Sequence, residues 1–206
     1  LSMCLSEGKP VRKVLMIHPI SEIWTKCRSD RNEDFNHLEM NMGWLDEHIT
    51  SLNRRGEFYN RLAKELTAAH IDFDFGDEIL LEEDGRIEGD KFIAGSCQYQ
   101  VVVVPGTLNL FRNTVDLLKE FSKQGGTVIW LKPYPTLIEG EKADIHSILD
   151  KEIFRHTAEH VWEVPELIRK CISSEFSVKT AAGEEDGEIL SMLRKTEDGY
   201  ILFLTN

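Results

Sequence analysis

The chain has 206 residues, of which 41% are hydrophobic and 29% are charged, and its formal net charge is -12. This length and composition are typical of one globular domain with a continuous hydrophobic core. The negative charge argues against nucleic acid and anionic membrane surfaces as partners. No apolar run approaches the roughly 20 residues of a membrane-spanning helix.

The cysteines are scattered and form no CxxC pair, which predicts buried or free thiols rather than disulfides or metal ligands. They are Cys4, Cys27, Cys97 and Cys171. Residues 1–10 lack the apolar centre of a signal peptide, so we expect a linker or disordered segment there and favour a cytoplasmic location. Because the chain begins with leucine and ends on a strand-like run, we expect it to be a piece of a longer protein.

The first predicted strand is Val11–Ile17, and His18 follows it. Ligands of open α/β sheets bind beyond the carboxyl ends of the strands, so His18 lies at the expected mouth. Residues 20–56 are far longer than the usual connection of about 2–6 residues and contain Trp24 and Trp44. This insert either covers the edge of its own sheet or forms an interface, for which the two tryptophans are the candidate anchors.

Apolar residues recur every four positions in Glu57–His70, which predicts an amphipathic helix. The next segment, Ile71–Gly76, alternates strictly and is typical of a strand with one polar face. Asp77 and Glu78 follow at its carboxyl end. Paired acids there could bind a hydroxylated ligand or a metal, or they could form a solvated turn and the start of a helix.

A strand–helix–strand unit is predicted at the centre of the chain. Tyr99–Val104 and Thr127–Leu131 are short β-branched runs, as in strands buried on both faces of a parallel sheet. Asn113 is the predicted N-cap of the helix between them, and Gly125-Gly126 is the predicted left-handed end. The crossover between the two strands is expected to be right-handed.

Two short helices are predicted after this unit, at 143–151 and at 164–173. Two strand-like runs, 188–193 and 200–204, flank a loop containing Asp198-Gly199 and predict a β-hairpin. The whole pattern predicts an α/β fold in one domain over residues 11–206. It would have three layers, a mostly parallel flavodoxin-like sheet with strand order 2-1-3-4, helices on both faces and a C-terminal β-hairpin.

Several catalytic and cofactor motifs are missing from the sequence. There is no Gly-x-Ser-x-Gly elbow, no phosphate-binding Gly-Lys-Ser/Thr loop, no His-Glu-x-x-His and no Gly-x-Gly-x-x-Gly. The seven histidines show no metal-ligand spacing. A flavin would need a Ser/Thr/Gly-rich phosphate loop after the first strand, where His18-Pro19-Ile20-Ser21 stands instead. We therefore assign no cofactor and no metal.

Two stretches carry a family resemblance, Tyr99–Gly106 and Leu117–Leu131. Their pattern resembles class I glutamine-amidotransferase-like domains, and most closely the version found as a middle domain of large glycoside hydrolases, including the trimerisation domain of some β-galactosidases. The segments His18–Trp24 and Ile71–Glu78 resemble the same domain in α-rhamnosidase-like glycosidases. The closing Gly199–Asn206 resembles the junction at which such proteins enter a β-sandwich domain.

The chain departs from this family at the catalytic position. An amidotransferase has a nucleophilic cysteine in a Gly-x-Cys-x-Gly elbow just after a strand, which corresponds here to Leu131–Tyr134. The chain has Lys132-Pro133 there, and neither residue can supply a thiolate. Cys97 precedes a strand rather than following one. We therefore expect no amidotransferase activity and assign no catalytic residue.

Two functional hypotheses remain. In the first, the chain is a non-catalytic structural, oligomerisation or substrate-supporting domain of a glycoside hydrolase, and its partners are the other domains of that enzyme or a second copy. In the second, it is a stand-alone sugar-binding or hydrolase domain with a site at the carboxyl edge of the sheet. The candidate ligand-binding residues of that site are His18, Trp24, Asp77, Glu78 and Lys132.

Overall fold

The computed structural model describes residues 7–22 and 47–206. Its strands, in chain order, are β1 (Lys9–Pro10), β2 (Val14–His18), β3 (Phe73–Asp77), β4 (Arg86–Glu88), β5 (Lys91–Ala94), β6 (Cys97–Tyr99), β7 (Val101–Val104), β8 (Asn109–Leu110), β9 (Thr127–Leu131), β10 (Leu137–Ile138), β11 (Glu141–Lys142), β12 (His156–Ala158), β13 (Leu190–Lys195) and β14 (Tyr200–Thr205). Its α-helices are α1 (Glu47–Ala68), α2 (Glu78–Asp84), α3 (Arg112–Lys123), α4 (Ile145–Ile148) and α5 (Val164–Cys171). Short 3-10 helices lie at Lys151–Phe154 and Val161–Glu163.

A five-stranded parallel sheet forms the centre, in the order β12-β9-β7-β2-β3. The four predicted strands occur in the predicted 2-1-3-4 order, which confirms the α/β fold. The fifth strand, β12, was not predicted, because three residues that include a histidine and a threonine give no apolar run or alternation to detect.

The sheet is buried on both faces because its strands are almost wholly apolar. One face, with Leu15, Val102 and Trp130, packs against Val115, Leu118 and Phe121 of α3. The other face, which includes Met16, Val103 and Ile129, packs against α1 and α5. Helices on both faces of one sheet make the three predicted layers.

The ends of two helices differ from the sequence prediction. Helix α1 begins at Glu47 instead of residue 57, and Gly56 lies inside it. Phe111, not Asn113, stands at the N-cap of α3, so the capping prediction for Asn113 is wrong. The Asn113 amide donates instead to the carbonyl of Leu81, at 3.2 Å, which ties α3 to α2.

The carboxyl end of α3 has the predicted glycine geometry. Gly125 has a φ of 94°, and the N–H of Gly126 donates to the carbonyl of Phe121 at 2.9 Å. A Cβ on Gly126 would lie 2.1 Å from the Phe121 ring. The two glycines therefore have separate roles, since Gly125 supplies the left-handed turn and Gly126 makes room for a core side chain.

A second, three-stranded sheet contains the predicted C-terminal hairpin. Its order is β1-β13-β14, all antiparallel, and the loop between β13 and β14 runs from Thr196 to Gly199. Lys9 and Pro10, which the sequence analysis placed in a linker, form β1. Among the described helices, none combines the length and apolar character needed to cross a membrane.

Candidate functional site at the carboxyl edge of the sheet

The structure brings together some of the predicted site residues at the carboxyl ends of the parallel strands. His18 ends β2 and lies in register with Asp77, which ends β3, and His18 Nδ1 is 3.9 Å from Asp77 Oδ2. Lys132 follows β9, on the far side of β7 from β2. Two strand spacings therefore separate Lys132 from His18, about 10 Å. Trp24 and Trp44 lie outside the described residues.

Asp77 has a local structural role. It is the N-cap of α2, and its Oδ1 accepts from the N–H of Ile79 at 2.9 Å. A carboxylate at this position satisfies one free backbone donor and complements the helix dipole. The sequence prediction of a helix start at Asp77-Glu78 is therefore confirmed.

Glu78 is fully buried, in contrast to the solvated turn that the sequence also allowed. Its Oε1 accepts from the N–H of Phe111 at 2.7 Å, and its Oε2 accepts from Ser21 Oγ at 2.5 Å. Burial raises the pKa of the Glu78 carboxyl, although the hydrogen bonds from Ser21 and Phe111 partly oppose that shift. Glu78 thus joins the segment after β2 to the N-terminal end of α3.

Glu22 is a second buried carboxyl at this edge, which sequence reasoning missed. One of its oxygens, Oε2, accepts from Thr107 Oγ1 and from the N–H of Leu108, both at 2.9 Å. Ser21 Oγ and Thr107 Oγ1 also lie 3.3 Å and 3.0 Å from the carbonyl oxygen of Asn109. The two glutamates therefore anchor the connection between β7 and α3, a tertiary role that leaves no local pattern in the sequence.

An aromatic group surrounds His18. Its ring lies 5.2 Å from the ring of Tyr59 and 6.4 Å from that of Phe75, which is largely exposed. The hydroxyl of Tyr59 donates to the carbonyl of Ile17 at 3.1 Å. Burial, and then the charge of Asp77, raise the pKa of Tyr59 above its ordinary value. The tyrosine is therefore held as a neutral donor that ties α1 to the end of β2.

Lys132 follows β9, at the position that the sequence resemblance aligns with an amidotransferase nucleophile. Its Nζ forms an ion pair with Glu159, which raises the pKa of the lysine, and it lies 6.0 Å from the centre of the Tyr134 ring. A Cβ on Gly106 would be 2.5 Å from the carbonyl oxygen of Lys132. The connections after β7 and β9 are therefore in direct contact at this position.

The described cysteines also differ from an activated nucleophile. Cys97 lies in β6, before the central strand β7. Cys171 Sγ is 4.0 Å from both ring nitrogens of His156. Burial raises the pKa of Cys171, and burial together with the charge of Arg155 lowers the pKa of His156. Both shifts favour the neutral forms, whereas a reactive cysteine needs a thiolate beside a cationic partner.

An exposed aromatic residue that the sequence analysis did not single out lies beyond β12. The ring of Trp162 stacks on that of His160, with centroids 4.2 Å apart and an 18° interplanar angle, and the guanidinium of Arg61 is 5.5 Å from the indole. Exposure of an aromatic residue has no sequence signal, since the same residue type also fills cores.

A cavity of about 50 Å³ lies at the opposite, amino edge of the sheet, beside His70, Asp72 and Ile168. It is large enough for one or two water molecules and too small for a sugar. Within residues 7–22 and 47–206, no three His, Cys, Asp or Glu side chains are close enough to hold a metal ion.

Comparisons with known proteins give a likeness in structure but none in sequence family. No family model and no curated protein matches the chain. Among solved structures, the apo exo-carrageenase GH42 from Bacteroides ovatus is similar at 14% sequence identity and a TM-score of 0.49. The match covers 95% of this chain and 23% of the carrageenase chain. A likeness at this level carries no argument about activity.

Proposed function

We propose that the chain is a non-catalytic module of a larger carbohydrate-active enzyme, with a structural, oligomerisation or substrate-supporting role. The observation that carries the non-catalytic part is the use of the polar side chains at the carboxyl edge. Asp77 caps α2, Glu22 and Glu78 accept backbone N–H groups, and Lys132 pairs with Glu159. Each group thus has a structural partner at the edge where an α/β enzyme would bind its substrate.

The carboxylates of β3 and of the start of α2 also have structural partners or are buried. Asp74 is bound by Arg12 and by the hydroxyl of Tyr99, at 3.0 Å in the latter case, while Asp77 is an N-cap and Glu78 is buried. Glycoside hydrolysis needs two carboxyl groups on either side of one glycosidic bond. The amidotransferase-like and glycoside-hydrolase parts of the proposal rest on the sequence resemblance in Tyr99–Gly106 and Leu117–Leu131.

The experiment measures turnover by the isolated chain. We expect neither glutamine hydrolysis nor cleavage of aryl glycosides above the uncatalysed rate in buffer alone. The matched variants are Asp77→Asn and Glu78→Gln, each of which removes one carboxylate while keeping the shape of the side chain. Turnover that either substitution abolishes would contradict the non-catalytic proposal.

One observation favours a second candidate, a sugar-binding domain with its site at this edge. The exposed ring of Phe75 stands beside His18 and Asp77, and sugars stack their C–H faces on aromatic rings while carboxylates accept their hydroxyls. The test is titration with oligosaccharides. The NMR chemical shifts of His18 are measured in the parent chain and in Phe75→Ala. Saturable shifts that Phe75→Ala removes would favour this candidate.

A further inference from the structure

The strand β14 differs from every other sheet edge in the described part of the chain. Natural proteins protect exposed edges with charged residues, proline or very short strands, because unpaired backbone groups invite another strand. The edge strand β1 consists of a lysine and a proline, and β3 carries Asp74 and Asp77. The edges β4 and β11 are charged, and β6, β8 and β12 have three residues or fewer. β14 has six residues, Tyr-Ile-Leu-Phe-Leu-Thr, without a charge or a proline.

Both faces of β14 are apolar. Tyr200, Leu202 and Leu204 lie on one face and are 59%, 42% and 45% exposed. Ile201 and Phe203, on the other face, are half-buried. Apolar side chains on both faces of β14 give any strand that pairs along its open edge apolar cross-strand contacts on either face. In the described chain, β14 has the neighbour β13 on one side only.

The sequence of β14 is complementary to itself in the antiparallel direction. If a two-fold axis passes through Leu202, that residue faces its own copy, Tyr200 faces Leu204, and Ile201 faces Phe203. Residues directly opposite in an antiparallel pair point to the same face, so all five positions make apolar pairs. None of these pairs brings like charges together, although the chain as a whole carries a net charge of -12.

We propose that β14 pairs with the β14 of a second copy, antiparallel about a two-fold axis at Leu202, so that two three-stranded sheets become one of six strands. This inference rests on the proposed function, because it identifies the surface through which a non-catalytic module assembles. The pairing closes at two copies. It uses the β14 edge of each copy, and the edges that remain are the protected β1 strands.

The first test is sedimentation of the chain over a range of concentrations. We expect a monomer–dimer equilibrium in which Leu202→Lys weakens the dimer about 100-fold, since it removes two apolar side chains and places two ammonium groups opposite each other. Leu190→Lys is the matched control. It makes the same change at a leucine that is 48% exposed on β13, away from the edge, and the dissociation constant should stay within about threefold.

The second test does not depend on measuring the monomer–dimer equilibrium. It determines which residues face each other across the pair of β14 strands. Leu202→Cys places two thiols opposite each other, with Cα atoms about 5 Å apart, which is within the range of a disulfide. We expect a cross-linked dimer under mild oxidation from Leu202→Cys and none from the parent chain. Tyr200→Cys should not cross-link either, because the two-fold axis separates its copies by about 13 Å.

The remaining outcomes decide against the pairing. A monomer at every concentration overturns it, and so does association that grows beyond two copies. Equal weakening by Leu190→Lys, or equal cross-linking by Tyr200→Cys, overturns the register and with it the proposal. Slow amide exchange of β14 in a monomer would mean that the chain covers its own edge. The non-catalytic proposal is tested by turnover and stands or falls separately.

Discussion

Among single residues, Glu78 has a structural role that can be measured as a change in the free energy of unfolding. Glu78→Ala removes a buried side chain, and with it the acceptor at 2.7 Å from the Phe111 N–H and the nearer of the two acceptors of the Ser21 hydroxyl. We expect a loss of about 3 kcal/mol in the free energy of unfolding, measured in urea.

Glu78→Gln is the matched control for this loss. Its carbonyl oxygen can still accept from Phe111, and its amide can donate to Ser21 Oγ, whose proton can turn to the Asn109 carbonyl at 3.3 Å. The expected loss is about 1 kcal/mol. If Gln and Ala destabilise the chain equally, the hydrogen bonds of Glu78 contribute nothing beyond its charge.

The raised pKa of Glu78 has a consequence for pH dependence. Because burial favours the protonated carboxyl, the folded state holds a proton that the unfolded chain releases near its ordinary pKa. The contribution to stability is fully present below that ordinary value and is lost as pH rises through the raised pKa of the folded protein. Stability of Glu78→Gln relative to the parent should therefore increase with pH across this window, and a parallel pair of pH profiles would contradict the raised pKa.

Glu185 gives the opposite sign. Partial burial acts to raise its pKa, but the hydrogen bonds from His70 and Ser177 and the charge of Arg169 outweigh it, so the pKa is lowered. His70 Nδ1 lies 2.8 Å from Glu185 Oε2. The stabilising contribution of the Glu185 carboxylate is therefore present above the ordinary carboxyl pKa and is lost as pH falls through the lowered pKa of the folded protein. In acid unfolding, Glu185→Gln should lose less stability than the parent does, and a steeper loss would contradict this.

At the scale of elements, the end of α3 tests how glycine is used. Gly126→Ala places a Cβ 2.1 Å from the buried Phe121 ring, and we expect a loss of about 2–4 kcal/mol because the core must shift. Gly56→Ala is the matched control. Gly56 lies within α1. Among the described residues, beyond its chain neighbours and the backbone of its own helix, no atom lies within 4 Å of the added Cβ, so alanine should stabilise the chain by about 1 kcal/mol. Thermal and urea unfolding measure the change in stability of each variant. Equal changes in the two variants would contradict the role of Gly126 in making room for the Phe121 ring.

At the scale of the whole molecule, contact through residues 20–56 stays a prediction. Trp24 and Trp44 are the candidate anchors because tryptophan is enriched at interface hot spots, and both lie outside the described residues. If residues 20–56 join copies of the chain, we expect Trp44→Ala to lower the molar mass in light scattering, whereas an assembly held by β14 alone should keep its mass. Trp162→Ala is the control, since Trp162 is an exposed tryptophan that stacks on His160. If Trp162→Ala alone lowers the molar mass, the interface lies near the β12 edge and not in residues 20–56.

The sequence by itself determined the strands and helices whose pattern is local. Val101–Val104 and Thr127–Leu131 are apolar enough to predict two-sided burial, and the glycines at 125 and 126 predict the end of α3. The strand order followed, because right-handed crossovers leave few arrangements of such units. Asp77 at a helix start was likewise readable from one stretch.

Only the tertiary structure decided what the polar groups at the carboxyl edge do. Glu22 and Glu78 accept from backbone N–H groups about 86 and 33 positions away along the chain, and no local pattern encodes partners at that separation. The strand β12 also depends on a distant segment, because it forms by hydrogen bonding to Ile129–Leu131 of β9. Asn113 likewise donates to a carbonyl of α2 instead of capping its own helix. Propensity acts between near neighbours, whereas burial and hydrogen-bond partners depend on which distant segments the fold brings together.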